Sequence, residues 1–137
     1  MLPTPDEMRG VFALMDDWEL RYSYVIDLGR MLPEMPVALK VEDVLVRGCT
    51  SRVWLVAESV VAPDGQKVFH FQVDSDAAIV KGLCAVLMVL VQGRSGAEIT
   101  ATDMRAEFEA LGLAQNLSPN RRNGFFAMVE RIRALAT

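Results

Sequence analysis

The feature that most constrains this chain is the run from Ala77 to Val91, whose only charge is Lys81. It is shorter than the roughly 20 apolar residues a membrane span needs. It reads instead as a buried helix, with no polar face to leave in water. The rest of the chain then has to enclose it.

Composition agrees with an enclosed core. Hydrophobic types make up 52% of the 137 residues and charged types 23%, so residues 1–137 are expected to form one compact ordered domain rather than a disordered chain. The formal net charge is −4, and no Lys/Arg stripe marks a nucleic-acid surface. The start, Met1-Leu2-Pro3-Thr4-Pro5-Asp6-Glu7, has neither the charged and apolar regions of a secretory signal nor the Arg-rich, acid-poor character of a transit peptide. The expected setting is cytoplasmic, with no membrane contact. There are two cysteines, Cys49 and Cys84, and one histidine, His70. That set suits a reducing compartment, suggests no disulfide framework and matches no zinc spacing.

From Pro5 to about Asp27, apolar residues at helical spacing (Met8, Val11, Phe12, Met15, Trp18, Tyr22, Val25, Ile26) predict a helix with one buried face, breaking near Asp16-Asp17. Gly29 and the prolines Pro33 and Pro36 are expected to end it. Val41 to Val46 reads as a short strand or extended loop, and Arg47 to Ser51 as a turn. Val53 to Ala57 and the alternating Lys67 to Val73 read as strands, joined through an Asp64-Gly65 hairpin. Asp74-Ser75-Asp76 is expected to cap the apolar helix, which ends near Gly93. Thr100 to Thr102 is expected to cap a helix through Leu111, closed by Gly112. Ser118-Pro119 opens a last helix with a stripe of Phe125, Phe126, Val129, Ile132 and Leu135. This order predicts an α+β fold, a small antiparallel sheet with helices packed on one face.

Cys49 follows Gly48 in the expected turn, where a thiol is presentable to a partner and glycine frees the backbone. Its reactivity depends on thiolate formation, which burial would suppress. A small buried hydrophobe is an equally good reading at this point. Cys84, inside the apolar helix, reads as core. Met8, Met15, Met88, Met104 and Met128 read as core filler. His70 lies on the strand face opposite Phe69 and Phe71 and has no second ligand or nucleophile beside it. Arg121 and Arg122 fall in the first turn of the last helix, where cations oppose the helix dipole. Either their stems carry the charge into water, or one meets an acidic group of this chain or of a partner.

Four segments together resemble the SufE/CsdE family of sulfur-acceptor proteins. They are Trp18-Glu19-Leu20-Arg21-Tyr22 with Ile26-Asp27-Leu28-Gly29; Val46 to Leu55 around Gly48-Cys49; Asp74-Ser75-Asp76-Ala77-Ala78-Ile79-Val80-Lys81-Gly82-Leu83; and Leu117-Ser118-Pro119-Asn120-Arg121-Arg122-Asn123-Gly124. The resemblance implies a fold shared with IscU-type scaffolds and matches Cys49 to the family's persulfide-forming cysteine. It implies that a pyridoxal-phosphate cysteine desulfurase (SufS/CsdA-like) is the donor and an iron–sulfur scaffold (SufB-like) a possible recipient. The chain itself would be a sulfur-transfer accessory, without cofactor or metal, rather than an independent enzyme. Gly48, Ser51, Asp74, Asp76 and Arg121 would support the loop or meet the partner. Thr50, Arg52, Asn120 and Arg122 depart from the commoner residues and bear on partner choice. Two rivals stand beside this reading. One is an adaptor that activates a desulfurase without carrying sulfur. The other is a cluster scaffold, set aside because it would need several clustered thiolates.

Overall fold

The computed structural model describes residues 2–137. Helices α1 (Pro5–Leu14) and α2 (Trp18–Arg30) come first, followed by a connection containing two short 3-10 turns, Val37–Leu39 and Glu42–Val44. Strands β1 (Val53–Val61) and β2 (Lys67–Ser75) lead into α3 (Ala78–Val91). The chain ends with β3 (Arg94–Ser95), α4 (Gly96–Ala101), α5 (Met104–Ala110) and α6 (Pro119–Leu135). The sheet is antiparallel in the order β1-β2-β3, and the architecture is α+β as expected.

The break at Asp16-Asp17 is real because Asp17 caps α2, its side chain accepting from the Leu20 N–H at 2.9 Å. Thr4 and Glu7 form a capping box at the start of α1. The β-hairpin forms where Asp64-Gly65 predicts it, with Gly65 at φ +87° and Val60 opposite Val68. In β2 the side chains of Phe69, Phe71 and Val73 are buried while His70 and Gln72 are exposed, so one face of the sheet packs on the helices and the other meets solvent.

α3 is buried from Ile79 to Val91, apart from a half-buried Lys81. α2 packs along it through Gly29 and Gly82: a Cβ on Gly29 would stand 2.8 Å from the Gly82 nitrogen. A Cβ on Gly82 would collide with the Val25 carbonyl oxygen. Gly29 therefore does not end its helix, contrary to expectation. It lies within α2, which runs on to Arg30, and allows the two backbones to touch.

Three further expectations are corrected. Val41 to Val46 is neither a strand nor fully extended; it holds a 3-10 turn and then a single bridge, Leu45 to Trp54. Asp74-Ser75-Asp76 does not cap α3. β2 continues through Ser75, paired with Val53, so the cap position falls to Ala77, which has no side-chain cap bond. The segment near Thr100 makes two helices rather than one, because Ser95 and Glu98 form a capping box for α4 and Asp103 caps α5. Thr102 closes the first, its hydroxyl donating to the Glu98 carbonyl at 2.9 Å. The last helix begins as expected, with Ser118 accepting from the Arg121 N–H at 3.3 Å. Phe125 stacks on Phe108 with ring centroids 4.1 Å apart.

Replacing Gly82 by alanine forces α2 and α3 apart. Overpacking of this kind costs about 1–3 kcal/mol, more than the roughly 0.5–1 kcal/mol that alanine gains within a helix. Denaturant unfolding of Gly82→Ala should show a lower midpoint at an unchanged slope.

Candidate functional site

Cys49 sits in the loop between the Leu45–Trp54 bridge and β1. The loop is tied at both ends: the Val46 N–H donates to the Val53 carbonyl at 2.9 Å, and the Arg52 N–H donates to Asp76 Oδ1 at 3.0 Å. Gly48 turns the chain with φ +91°, a left-handed conformation that favours glycine. A Cβ there would also press on Ala127 of α6, at 3.2 Å.

The thiol is half-buried and faces α6. Its Sγ lies 3.5 Å from the Gly124 carbonyl oxygen, to which the S–H donates. A Cβ on Gly124 would be 3.5 Å from that sulfur, so the glycine keeps this wall thin. Val80 and Leu83 of α3 and Phe125 and Met128 of α6 form the apolar side of the pocket, and Thr50, Ser51, Asn120 and Arg121 its mouth. The pocket is nearly filled: about 10 Å³ remains, close to one water-sized sphere. Burial pushes the Cys49 thiol up from its ordinary pKa, since the thiolate loses hydration without gaining a cation. A larger groove of about 470 Å³ lies between Thr4, Arg9, Arg94 and Glu107, but it is open, and Arg9 is already bound by Asp6 and Glu107.

Cys84 is fully enclosed, its S–H directed at Met128 Sδ at 3.3 Å. Burial raises its pKa strongly, with smaller contributions from charge at Cys49 and Asp74. Both cysteines are free. Met128 packs on Cys84 and also lines the Cys49 pocket, so one side chain borders both thiols.

The residues expected around Cys49 divide into two groups. Gly48, Ser51 and Arg121 lie in the loop or at the pocket, and Asp76 holds the loop through Arg52. Asp74 is elsewhere: it is buried, with Lys40 Nζ at 2.5 Å from one carboxylate oxygen and Lys81 Nζ at 3.3 Å from the other. Its Oδ1 also accepts from the Ser75 N–H at 2.8 Å. Burial alone would raise the Asp74 pKa, but Lys40, the Ser75 N–H and Lys81 outweigh it and hold the carboxyl below its ordinary value. Lys40 also lies over the Trp54 ring, 5.5 Å from the centroid. Asp74 thus fastens the connection upstream of Cys49 to β2 and α3.

Sequence reasoning missed two contributors. Lys40 lies in the stretch Val37-Ala38-Leu39-Lys40-Val41 with no local signal of an ion-pair partner. Gly124 closes the fourth segment of the resemblance, which assigns it no role; its signal is a glycine inside a helix, which costs stability unless close packing requires it.

The chain is similar to known proteins at the level of family and of fold. The family model for the SufE Fe-S metabolism associated domain matches residues 6–136. An uncharacterized SufE-like protein of Rhizobium etli is 42% identical over 128 residues, covering 93% of this chain and 86% of the relative. A second, from Rhizobium meliloti, is 40% identical over 131 residues, covering 96% and 93%. The solution structure of a hypothetical protein from Thermus thermophilus superposes with a TM-score of 0.72 at 21% identity, covering 99% of this chain and 96% of that one. At that identity the likeness concerns the fold alone.

Two pH dependences follow from the site. Asp74 titrates below its unfolded value of about 3.9, so its contribution to stability is complete above that value and is lost as pH falls through the folded pKa. Asp74→Asn removes that dependence and strands two half-buried lysines, at a cost of about 1–3 kcal/mol. Urea melts from pH 7 downward should show a lower midpoint at neutral pH and a shallower acid loss than wild type. For Cys49, the folded thiol stays protonated at pH values where the unfolded thiol, near about 8.5, ionises. Its iodoacetamide labelling rate should therefore rise at higher pH in the native protein than in urea, as peptide mass mapping can follow.

Proposed function

The chain belongs to the SufE family, whose domain is associated with Fe-S metabolism, and on that premise we propose that it is a sulfur acceptor acting through Cys49. The observation that carries the reading is the placement of this thiol: on a loop, turned by Gly48, resting against apolar walls beneath a polar mouth. The donor is a pyridoxal-phosphate cysteine desulfurase holding a persulfide, and the recipient a cluster-assembly scaffold. Reduced thiols are needed throughout, so the reading places the protein in the cytoplasm. No helix among the described residues is long and apolar enough to cross a membrane.

The transfer is a thiol–disulfide exchange. Cys49 loses its proton to solvent as it swings out of the pocket, and its thiolate attacks the outer sulfur of the donor persulfide. The donor's sulfur–sulfur bond breaks, a new one forms at Cys49, and the donor cysteine leaves as thiolate. No net oxidation or reduction occurs. Gly48 supplies the hinge, Asp76 supports the loop, Ser51 and Arg121 stand at the mouth, and Asp74 fixes the upstream connection. The raised pKa of the tucked thiol keeps it unreactive between encounters.

Incubating the protein with a cysteine desulfurase and cysteine, followed by intact and peptide mass measurement, should show one added sulfur, removable by thiol reductant, on the Cys49 peptide and none on the Cys84 peptide. Absence of sulfur on Cys49 would sink the carrier reading. Cys49→Ser should abolish stimulation of desulfurase turnover. An adaptor that activates without carrying would retain it.

A further inference from the structure

Four arginines lie in the Cys49 loop or in the first turn of the helix packed against it. Arg47 and Arg52 flank it in the loop, and Arg121 and Arg122 lie in the first turn of α6, the helix whose Gly124 carbonyl holds the thiol. Arg47, Arg52 and Arg121 are exposed and Arg122 is half-buried. None of the ion pairs among the described residues involves any of the four. Asp76, the carboxylate tied to this loop, binds the Arg52 backbone N–H and makes no ion pair with its guanidinium.

The distribution is unusual for this chain. Its net charge is −4, so the rest of the chain is more acidic than the whole, and these four cations, of which Arg121 lines the Cys49 pocket, stand against that background. Their position also opposes local physics. α1, α2, α4 and α5 have acidic residues in their first turns, as the helix dipole favours. α3 and α6 have none there, and in α6 Arg121 and Arg122 occupy the positive end.

We infer that this arginine rim is a docking surface for an acidic face on the sulfur donor, whose carboxylates surround the persulfide-bearing cysteine. The inference rests on the carrier reading and adds the surface chemistry of the partner. Guanidinium groups bind carboxylates in bidentate pairs. A rim of one sign around the reacting atom also orients the encounter before contact and speeds association more than it slows dissociation.

The test is stopped-flow association of the full chain with the desulfurase used for the sulfur-transfer measurement, over a range of NaCl concentrations. The wild-type association rate should fall on the order of tenfold from low to high salt. The triple variant Arg47→Gln, Arg52→Gln, Arg122→Gln should associate roughly tenfold more slowly at low salt and respond little to added salt. The corresponding lysine variant should recover most of the rate. An unchanged thermal midpoint checks that the variants fold, and the wild-type salt series needs no variant. If wild type takes up sulfur while the glutamine variant associates at the wild-type rate, the rim inference fails and the carrier reading stands. If wild type associates in a salt-dependent way but gains no sulfur, the carrier reading fails instead. Tighter binding of single-stranded DNA than of the desulfurase would mark a phosphate surface and also overturn the inference.

Discussion

Burial of α3 governs the rest of the molecule. From Ile79 to Val91 its side chains are enclosed almost without interruption, and burying a Val, Leu or Ile contributes about 1.5–3 kcal/mol each. Gly29 and Gly82 cost helical stability by roughly 0.5–1 kcal/mol apiece, a loss the closer α2–α3 contact outweighs. The sheet and α6 enclose other parts of the same helix. Its one charge, Lys81, reaches Asp74, while Val80 and Leu83 wall the Cys49 pocket. The helix that supplies the core therefore also sets the surroundings of the thiol.

The legible parts of the fold are those with local causes. The hairpin at Asp64-Gly65, the alternation of β2, the Ser118 cap and the apolar run each follow from chemistry within a few residues. Expectation and structure part where a distant partner decides the outcome. Gly29 has the local mark of a helix terminator, but its role is set by Gly82, far along the chain. Asp74-Ser75-Asp76 has the composition of a cap, but pairing of Ser75 with Val53 carries the strand through it. The double helix after Ser95 is hard to read because Thr100 and Thr102 are also cap-forming types, while the capping box at Ser95-Glu98 lies outside the expected boundary.

The site is legible to a similar depth. Cys49 stands out through Gly48 and the turn around it, and Cys84 through its apolar neighbours, and the structure places one in a half-buried loop and the other in the core. No rule of spacing brings Gly124 to Cys49 across 75 positions of sequence, or Lys40 to Asp74. Such contacts depend on tertiary packing, which periodicity does not encode. Arg121 and Arg122 are conspicuous for opposing the helix dipole, a conflict between local preference and position of the kind expected where function intervenes.

A thiol that is held back must still be released, and the magnitudes favour an easy release. The S–H bond to the Gly124 carbonyl is long at 3.5 Å, and sulfur donors are weak. Turning Cys49 outward exposes apolar surface comparable to about one methylene, roughly 0.8 kcal/mol. Under the proposed function, these terms put an outward-turned thiol only about 1–2 kcal/mol above the tucked one. The ties that would resist more strongly, Asp76 to the Arg52 N–H and Val46 to Val53, lie at the loop's ends and need not break for its tip to turn at Gly48. Under the proposed function, docking then has only a small gap to close, which a few guanidinium–carboxylate contacts of the inferred arginine rim can supply. In the proposed transfer, the same rotation would carry the sulfur out of the environment that raises its pKa, so position and nucleophilicity would change together. Under the proposed function the pocket protects by default, and the partner's surface decides when the thiol reacts.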